Sequence, residues 1–206
     1  WGETDVAYTP TLIVGYGGLW GENYWYAESN VWENERLLRF TPRGTVDARS
    51  RRRTLAPDTE WWHPTLSASV NDLSQRGVGV QLGAHGQLQG LGAQWELWMM
   101  EQGGMSPLEA IRVATLGGAE YLGMEADLGS ITAGKLADFL VLDGDPLADL
   151  RQTQNIRYTV ANGRVFEAET MDQVWPDRVA RPTFWFERPG ASDAMLWQSG
   201  HGHGEE

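Results

Sequence analysis

Apolar positions along this chain change period several times, and each change marks an element. Leu66, Val70 and Leu73 recur at spacings of four and three. With Pro64 suited to a first helical turn and Gly77 to a stop, the spacing predicts a helix over 64–76. Val78 to Leu82 is a short apolar run between Gly77 and Gly83, the pattern of a short buried strand. Helical spacing returns over 90–102, where Leu91, Trp95, Trp98 and Met99 share one side and Gly103-Gly104 ends the run. Ser106 with Glu109 three residues on forms a capping box, and Pro107 takes the first helical position. Leu108, Ile111, Ala114 and Thr115 continue that helix.

The texture changes after Gly123. Phe139 to Leu142 reads as an apolar strand, and Arg157 to Val160 and Arg164 to Phe166 as two strands joined around Asn162-Gly163, a strong hairpin signal. Upstream, residues 6–16 are the first strand candidate, with Pro10 near its start, where a missing N–H does least harm. Residues 17–62 show no clean period and read as a long insertion with short helical pieces. Its aromatic residues (Trp20, Tyr24, Trp25, Tyr26, Trp32) either line a pocket or pack the insertion down. The chain therefore divides into a helix–strand–helix part over 1–123, a small β part over 124–168, and an extension over 169–206 that finishes in a polar tail. No internal repeat is present.

The 206 residues carry a formal net charge of -12 and no cysteine. The charge excludes a nucleic-acid backbone or an anionic membrane surface as the expected partner. The absence of cysteine excludes disulfides and thiolate metal sites. No apolar stretch reaches the roughly 18 residues a membrane span needs. The one basic run, Arg49 to Arg53, reads as a solvated loop. The first residue is Trp1, so the chain reads as a fragment whose targeting segment, if it has one, lies upstream. Its compartment stays open, a soluble protein with periplasmic or secreted settings both admissible.

Four histidines are present, His63, His85, His201 and His203. His85 follows the end of the Val78–Leu82 run, flanked by Gly83 and Gly86, which let the backbone turn tightly. Loops after parallel strands carry the reacting groups of α/β sheets and barrels. An imidazole there can ligate a metal, shuttle a proton, or simply hydrogen-bond for structure. His63, just before a helix, reads as a packing residue. His201 and His203 sit in a Gly-rich tail with no rigid element beneath them. Glu96 is the second candidate. It lies between Trp95 and Leu97-Trp98 on a helix and is placed either to orient a ligand or reach the His85 loop, or to stay solvated or salt-bridged.

Taken in order, these pieces resemble the C-terminal end of the metal-dependent amidohydrolase superfamily, in its imidazolonepropionase-like branch. The resemblance rests on Gly77 to Gly86, on Gly104-Met105-Ser106-Pro107-Leu108-Glu109-Ala110, on Ala114-Thr115 and Ala119, on Gly129-Ser130-Ile131 with Gly134-Lys135 and Ala137-Asp138, and on the Val160-x-Asn162-Gly163-x-Val165 hairpin. Pro10-Thr11-Leu12 resembles the seventh barrel strand, so the likeness covers most of residues 6–168. Gly83-Ala84-His85-Gly86-Gln87 with Trp95-Glu96-Leu97-Trp98 further resembles amidohydrolase-like proteins that carry a TolB-type β-propeller.

The resemblance implies an α/β fold, the C-terminal part of a (β/α)8 TIM-type barrel plus strands of a small β-sandwich. It implies hydrolysis of C–N bonds in a small-molecule or peptide-like substrate, with a divalent metal, zinc, lowering the pKa of a bound water. His85 stands at the catalytic mouth as candidate base and metal ligand, with Gln87 and Glu96 as its neighbours. Gly134-Lys135 and Ala137-Asp138 are read as structural. Two departures accompany the likeness. The family places an Asp where this chain has His85, and the first six strands with most metal ligands are absent. The chain alone is therefore expected to bind no catalytic metal and turn nothing over, needing the N-terminal remainder of its parent. The alternative is a non-catalytic binding protein on the same scaffold.

Overall fold

Tyr8 and Val80 pair in parallel in the computed structural model, which describes residues 1–15, 18–50, 54–86 and 88–190. Tyr8 N–H donates to the Gly79 carbonyl at 2.8 Å, and Gln81 N–H donates to the Tyr8 carbonyl at 3.1 Å. The next donor in such a parallel ladder belongs to residue 10, which is Pro10 and has no N–H. Pairing stops there. The strands expected over 6–16 and 78–82 are thus each cut to one bridged residue, and Leu12–Val14 forms a 3-10 turn instead.

The insertion between these paired segments is built of short helices, as its lack of period suggested: α1 (Gly21–Glu28), α2 (Glu35–Phe40) and α3 (Arg43–Ser50). Asn34 caps α2 by accepting the Leu37 N–H at 2.8 Å. The basic run read as a loop begins inside α3, since Arg49 and Ser50 are helical, while residues 51–53 lie outside the described residues. Trp25 and Tyr26 are buried. Trp25 lies nearly parallel to Trp95 at 6.3 Å and meets Trp98 edge-on at 5.3 Å. These two rings pack the insertion onto the core.

Helix α4 spans His63–Gln75, and α5 spans Gly92–Gln102. The spacing put one side of α5 in the core, whereas the structure buries Trp95 through Met100 without a break. The Leu12–Val14 turn, α1, α4, the following helix and the Leu150–Gln154 segment all pack on it. A helix enclosed in this way can be apolar all round. Helix α6 (Pro107–Arg112) starts at the expected capping box, with Ser106 Oγ accepting the Glu109 N–H at 3.3 Å and Glu109 Oε2 accepting the Ser106 N–H at 3.0 Å. It continues through a π-helical turn, Val113–Gly117, into α7 (Gly118–Tyr121).

Beyond residue 123 lies one antiparallel sheet in the order β1 (Phe139–Leu142), β2 (Ile156–Ala161), β3 (Arg164–Glu167) and β4 (Gln173–Trp175). Asn162 (φ 49°) and Gly163 (φ 72°) take the two left-handed positions of a type I′ hairpin. Strand β4 comes from the stretch after residue 168. Helix α2 also reaches that stretch: Arg36 and Arg39 both pair with Glu169, and Phe40 meets Phe184 edge-on at 6.3 Å. Among the described residues no helix is long and apolar enough to cross a membrane.

Candidate functional site at the paired strand ends

Because Tyr8 and Val80 run in parallel, residues 9–11 and 81–85 leave the pair at the same end. The two exits touch. A Cβ built on Gly83 would lie 2.2 Å from the Pro10 carbonyl oxygen, so only glycine fits. Thr9 Oγ1 donates to Gln81 Oε1 at 3.2 Å across the same contact. His85 and Gly86 follow with φ of 51° and 62°. Two successive left-handed residues turn the chain sharply, and a non-glycine residue there is uncommon. The His85 side chain is exposed and makes no hydrogen bond or ion pair among the described residues. That geometry leaves both ring nitrogens available to a ligand or a proton. Gln87 lies outside the described residues, as do His201 and His203.

Glu96 is fully buried in the first half of α5. Its Oε1 accepts the Leu12 N–H at 2.7 Å and its Oε2 accepts the Ile13 N–H at 2.9 Å. Burial pushes its carboxyl pKa up to about 8, against the opposing pull of those two N–H donors. The expected solvated or salt-bridged Glu is thereby corrected. The carboxylate is bound to the turn that follows the Tyr8 strand exit, not to the His85 loop. One end of the strand pair thus holds His85 on the second exit and Glu96 beneath the first.

His63, the first residue of α4, is buried and hydrogen-bonded through Nε2 to Gln102 Oε1 at 3.0 Å. Its ring lies 4.6 Å from that of Tyr24. Desolvation lowers its pKa to about 4, so at neutral pH the ring is uncharged, Nε2–H donates to Gln102, and Nδ1 is buried without a partner. This is a packing residue, as its place before the helix suggested. A further feature carried no sequence signal. Arg39, Glu169, Thr170, Asp172, Arg181, Thr183 and Glu187 line an open cleft of about 650 Å³. Its lining comes from segments about 130 residues apart, which no local pattern links. Arg181 holds the Glu187 carboxyl at about 2.

The metal suggested by the sequence does not find its ligands here. Among the described residues no three His, Asp or Glu side chains gather into a set that could hold an ion. His85 offers one exposed imidazole and belongs to no such set among the described residues.

Comparison with known proteins places this geometry in context. Residues 67–166 match the model of the Amidohydrolase family. An adenine deaminase of Rubrobacter xylanophilus is 44% identical over 62 residues, 30% of this chain and 9% of that protein. An imidazolonepropionase of Symbiobacterium thermophilum is 49% identical over 39 residues, 19% of this chain and 9% of that protein. An ochratoxinase of Aspergillus niger is 26% identical over 159 residues, 71% of this chain and 33% of that protein. The chain thus spans a third or less of the length of these three relatives. The matched stretch starts inside α4, takes in the His85 turn, Glu96 and the capping box, and ends in β3. Residues 67–166 are therefore similar to the Amidohydrolase family, and the relatives they resemble include a deaminase and an imidazolonepropionase.

Proposed function

We propose that this chain is the C-terminal part of a metal-dependent hydrolase that cleaves C–N bonds in small-molecule, cyclic amide or peptide-like substrates. The observation that carries the reading is the family match over 67–166, which contains the exposed strand-end His85. The parallel Tyr8–Val80 pairing, with helices between its two segments, supports two closing units of a (β/α)8 barrel over 1–123. Strands β1 to β3 support strands of a small sandwich over 124–168, and the 169–206 extension adds β4 to the same sheet. The Gly83–Gln87 and Trp95–Trp98 wording supports a propeller-bearing branch of the family.

In this reading His85 faces substrate at the mouth, Gln87 follows two residues on in sequence, and Glu96 holds the neighbouring strand exit at Leu12 and Ile13. His85 would offer one nitrogen to a zinc ion or act as the proton acceptor. The remaining ligands lie in the N-terminal remainder of the parent, which is why the chain alone turns nothing over. The test is the longer protein, assayed for hydrolysis of amides, cyclic amides and dipeptides and for bound zinc, with and without His85→Ala. Loss of turnover or metal in His85→Ala supports the assignment. Unchanged turnover and metal content would make His85 structural. Stoichiometric zinc and amidase activity in the 206-residue chain would sink the claim that it is incomplete.

One observation favours a second reading, a non-catalytic binding protein on the same scaffold. His85 stands where the resemblance places an Asp, and it brings no negative charge to the site. Absence of hydrolysis across that substrate set in the longer protein would favour this reading.

A further inference from the structure

We infer that Glu96 is a positioning residue, whose two carboxylate oxygens hold the turn at Leu12 and Ile13 and through it set where the aromatic helix α1 sits beside the strand exits. Its link to catalysis rests on the reading of those exits as a hydrolase mouth.

The turn Leu12–Val14 closes itself with only two internal bonds, Val14 N–H to Thr11 O at 3.2 Å and Gly15 N–H to Leu12 O at 3.1 Å. Its first N–H groups, like those of any helical turn, have no partner within it. A local side chain normally caps such groups, but Thr11 makes no side-chain cap bond. Glu96 supplies both acceptors from 84 and 83 residues away in sequence. The turn is therefore capped only when α5 is docked.

The effect passes on from Leu12. A Cβ built on Gly21, the first residue of α1, would lie 2.9 Å from the Leu12 carbonyl oxygen and 2.0 Å from the Met99 methyl. So α1 rests directly on the turn, in a space that admits only glycine. From α1, Tyr24 meets Trp61 edge-on at 5.6 Å, and Trp25 lies along Trp95, the neighbour of Glu96. A displaced carboxylate would thus move the turn, and the turn would move the start of the insertion. The chemistry fits the task. Two acceptor oxygens on one buried side chain, bonded to consecutive amides, hold the start of the turn at two adjacent points. The carboxylate has no other hydrogen-bond partner among the described residues.

Amide hydrogen exchange on the 206-residue chain tests this, because it needs no activity. Leu12 and Ile13 amides are expected to exchange slowly in the unsubstituted chain. In Glu96→Gln, an –NH₂ group replaces one acceptor oxygen. Protection at Leu12 or Ile13 should fall up to about tenfold, the loss of one buried hydrogen bond. The Tyr24 and Trp25 ring resonances should shift as well, while the Glu109 amide of the capping box stays unchanged. Gln102→Ala, which removes the His63 contact at the far end of α5, should leave Leu12 and Ile13 protected. Unaltered protection at both amides in Glu96→Gln overturns the inference. Should that variant fail to fold, rapid exchange of both amides in the unsubstituted chain overturns it equally, and slow exchange supports it. Failure to find hydrolysis in the longer protein would remove the hydrolase reading and leave this result standing.

Discussion

The indole N–H of Trp98 donates to the carbonyl oxygen of Leu150 at 3.1 Å, and Thr153 Oγ1 lies at the same distance from the indole nitrogen. This one side chain joins the central helix α5 to the segment that leads into β2. Leu150 is wholly buried, and the Arg151 guanidinium lies 5.0 Å over the Trp25 ring and 5.3 Å over the Trp98 ring. The stretch that matches the family model therefore continues from helices into sheet through a packed contact.

Removing the indole donor alone, in Trp98→Phe, should cost about 1 kcal/mol, because Thr153 Oγ1 still donates to Leu150 O at 2.8 Å. Trp98→Ala empties a core position and should cost about 3–5 kcal/mol. Urea unfolding followed by far-UV circular dichroism gives both numbers. Equal losses in the two variants would refute the separation of hydrogen bond from packing.

The pH dependence of stability should carry two opposed contributions. Glu96 has its folded pKa raised to about 8 from 4.5. Between those values the folded chain keeps a proton the unfolded chain has released, so stability falls as pH rises. His63 has its folded pKa lowered to about 4 from 6.5. In that window the unfolded chain holds the extra proton, so stability rises with pH. The two slopes oppose each other between pH 4.5 and 6.5, and only the Glu96 decline remains from 6.5 to about 8. Urea midpoints across pH should show that decline, and Glu96→Gln should flatten it. His63→Asn should instead remove the rise on the acid side. A midpoint that climbs from pH 6.5 to 8 in the unsubstituted chain would contradict the Glu96 assignment.

Gly83→Ala should be costly for a reason independent of backbone freedom. Its methyl would sit 2.2 Å from the Pro10 carbonyl oxygen, a backbone atom that cannot swing aside. Overpacking of this kind costs about 1–3 kcal/mol. Gly86→Ala makes a useful contrast, since nothing lies within 4 Å of that position and only its φ of 62° opposes the change. Thermal unfolding should show the larger loss in Gly83→Ala. The reverse order would mean that the strand exits are not in contact.

Elements set by neighbouring residues were legible in the chain itself. The Ser106–Glu109 box, the Asn162-Gly163 hairpin, the Gly77 stop and the run of α4 each depend on groups a few positions apart, and each formed as the pattern indicated. The strand candidates were overextended. Apolar character marked Val78–Leu82 correctly as buried at Val78 and Val80, but ladder length depended on where Pro10 fell on the opposite segment. Strand β4 escaped notice because Gln173–Trp175 is too short to show alternation and forms only against β3.

The candidate site divides along the same line. The place of His85 at a strand end, between two glycines, was readable because chain order and spacing define it. Its exposure and left-handed backbone were not. For Glu96 the sequence left burial among aromatics and solvation both open, since nothing near residue 96 announces Leu12 or Ile13 as its donors. Sequence alone determined the order of elements, the caps and turns that bound them, and the family likeness carried by that order. Only the tertiary structure decided what each polar group does. Those partners lie 70 to 130 residues away, at Thr9 and Gln81, at Leu12 and Glu96, and at Arg39 and Glu169. Local spacing encodes local hydrogen bonds, whereas the long-range ones exist only once the core has brought distant segments within 3 Å or so of each other.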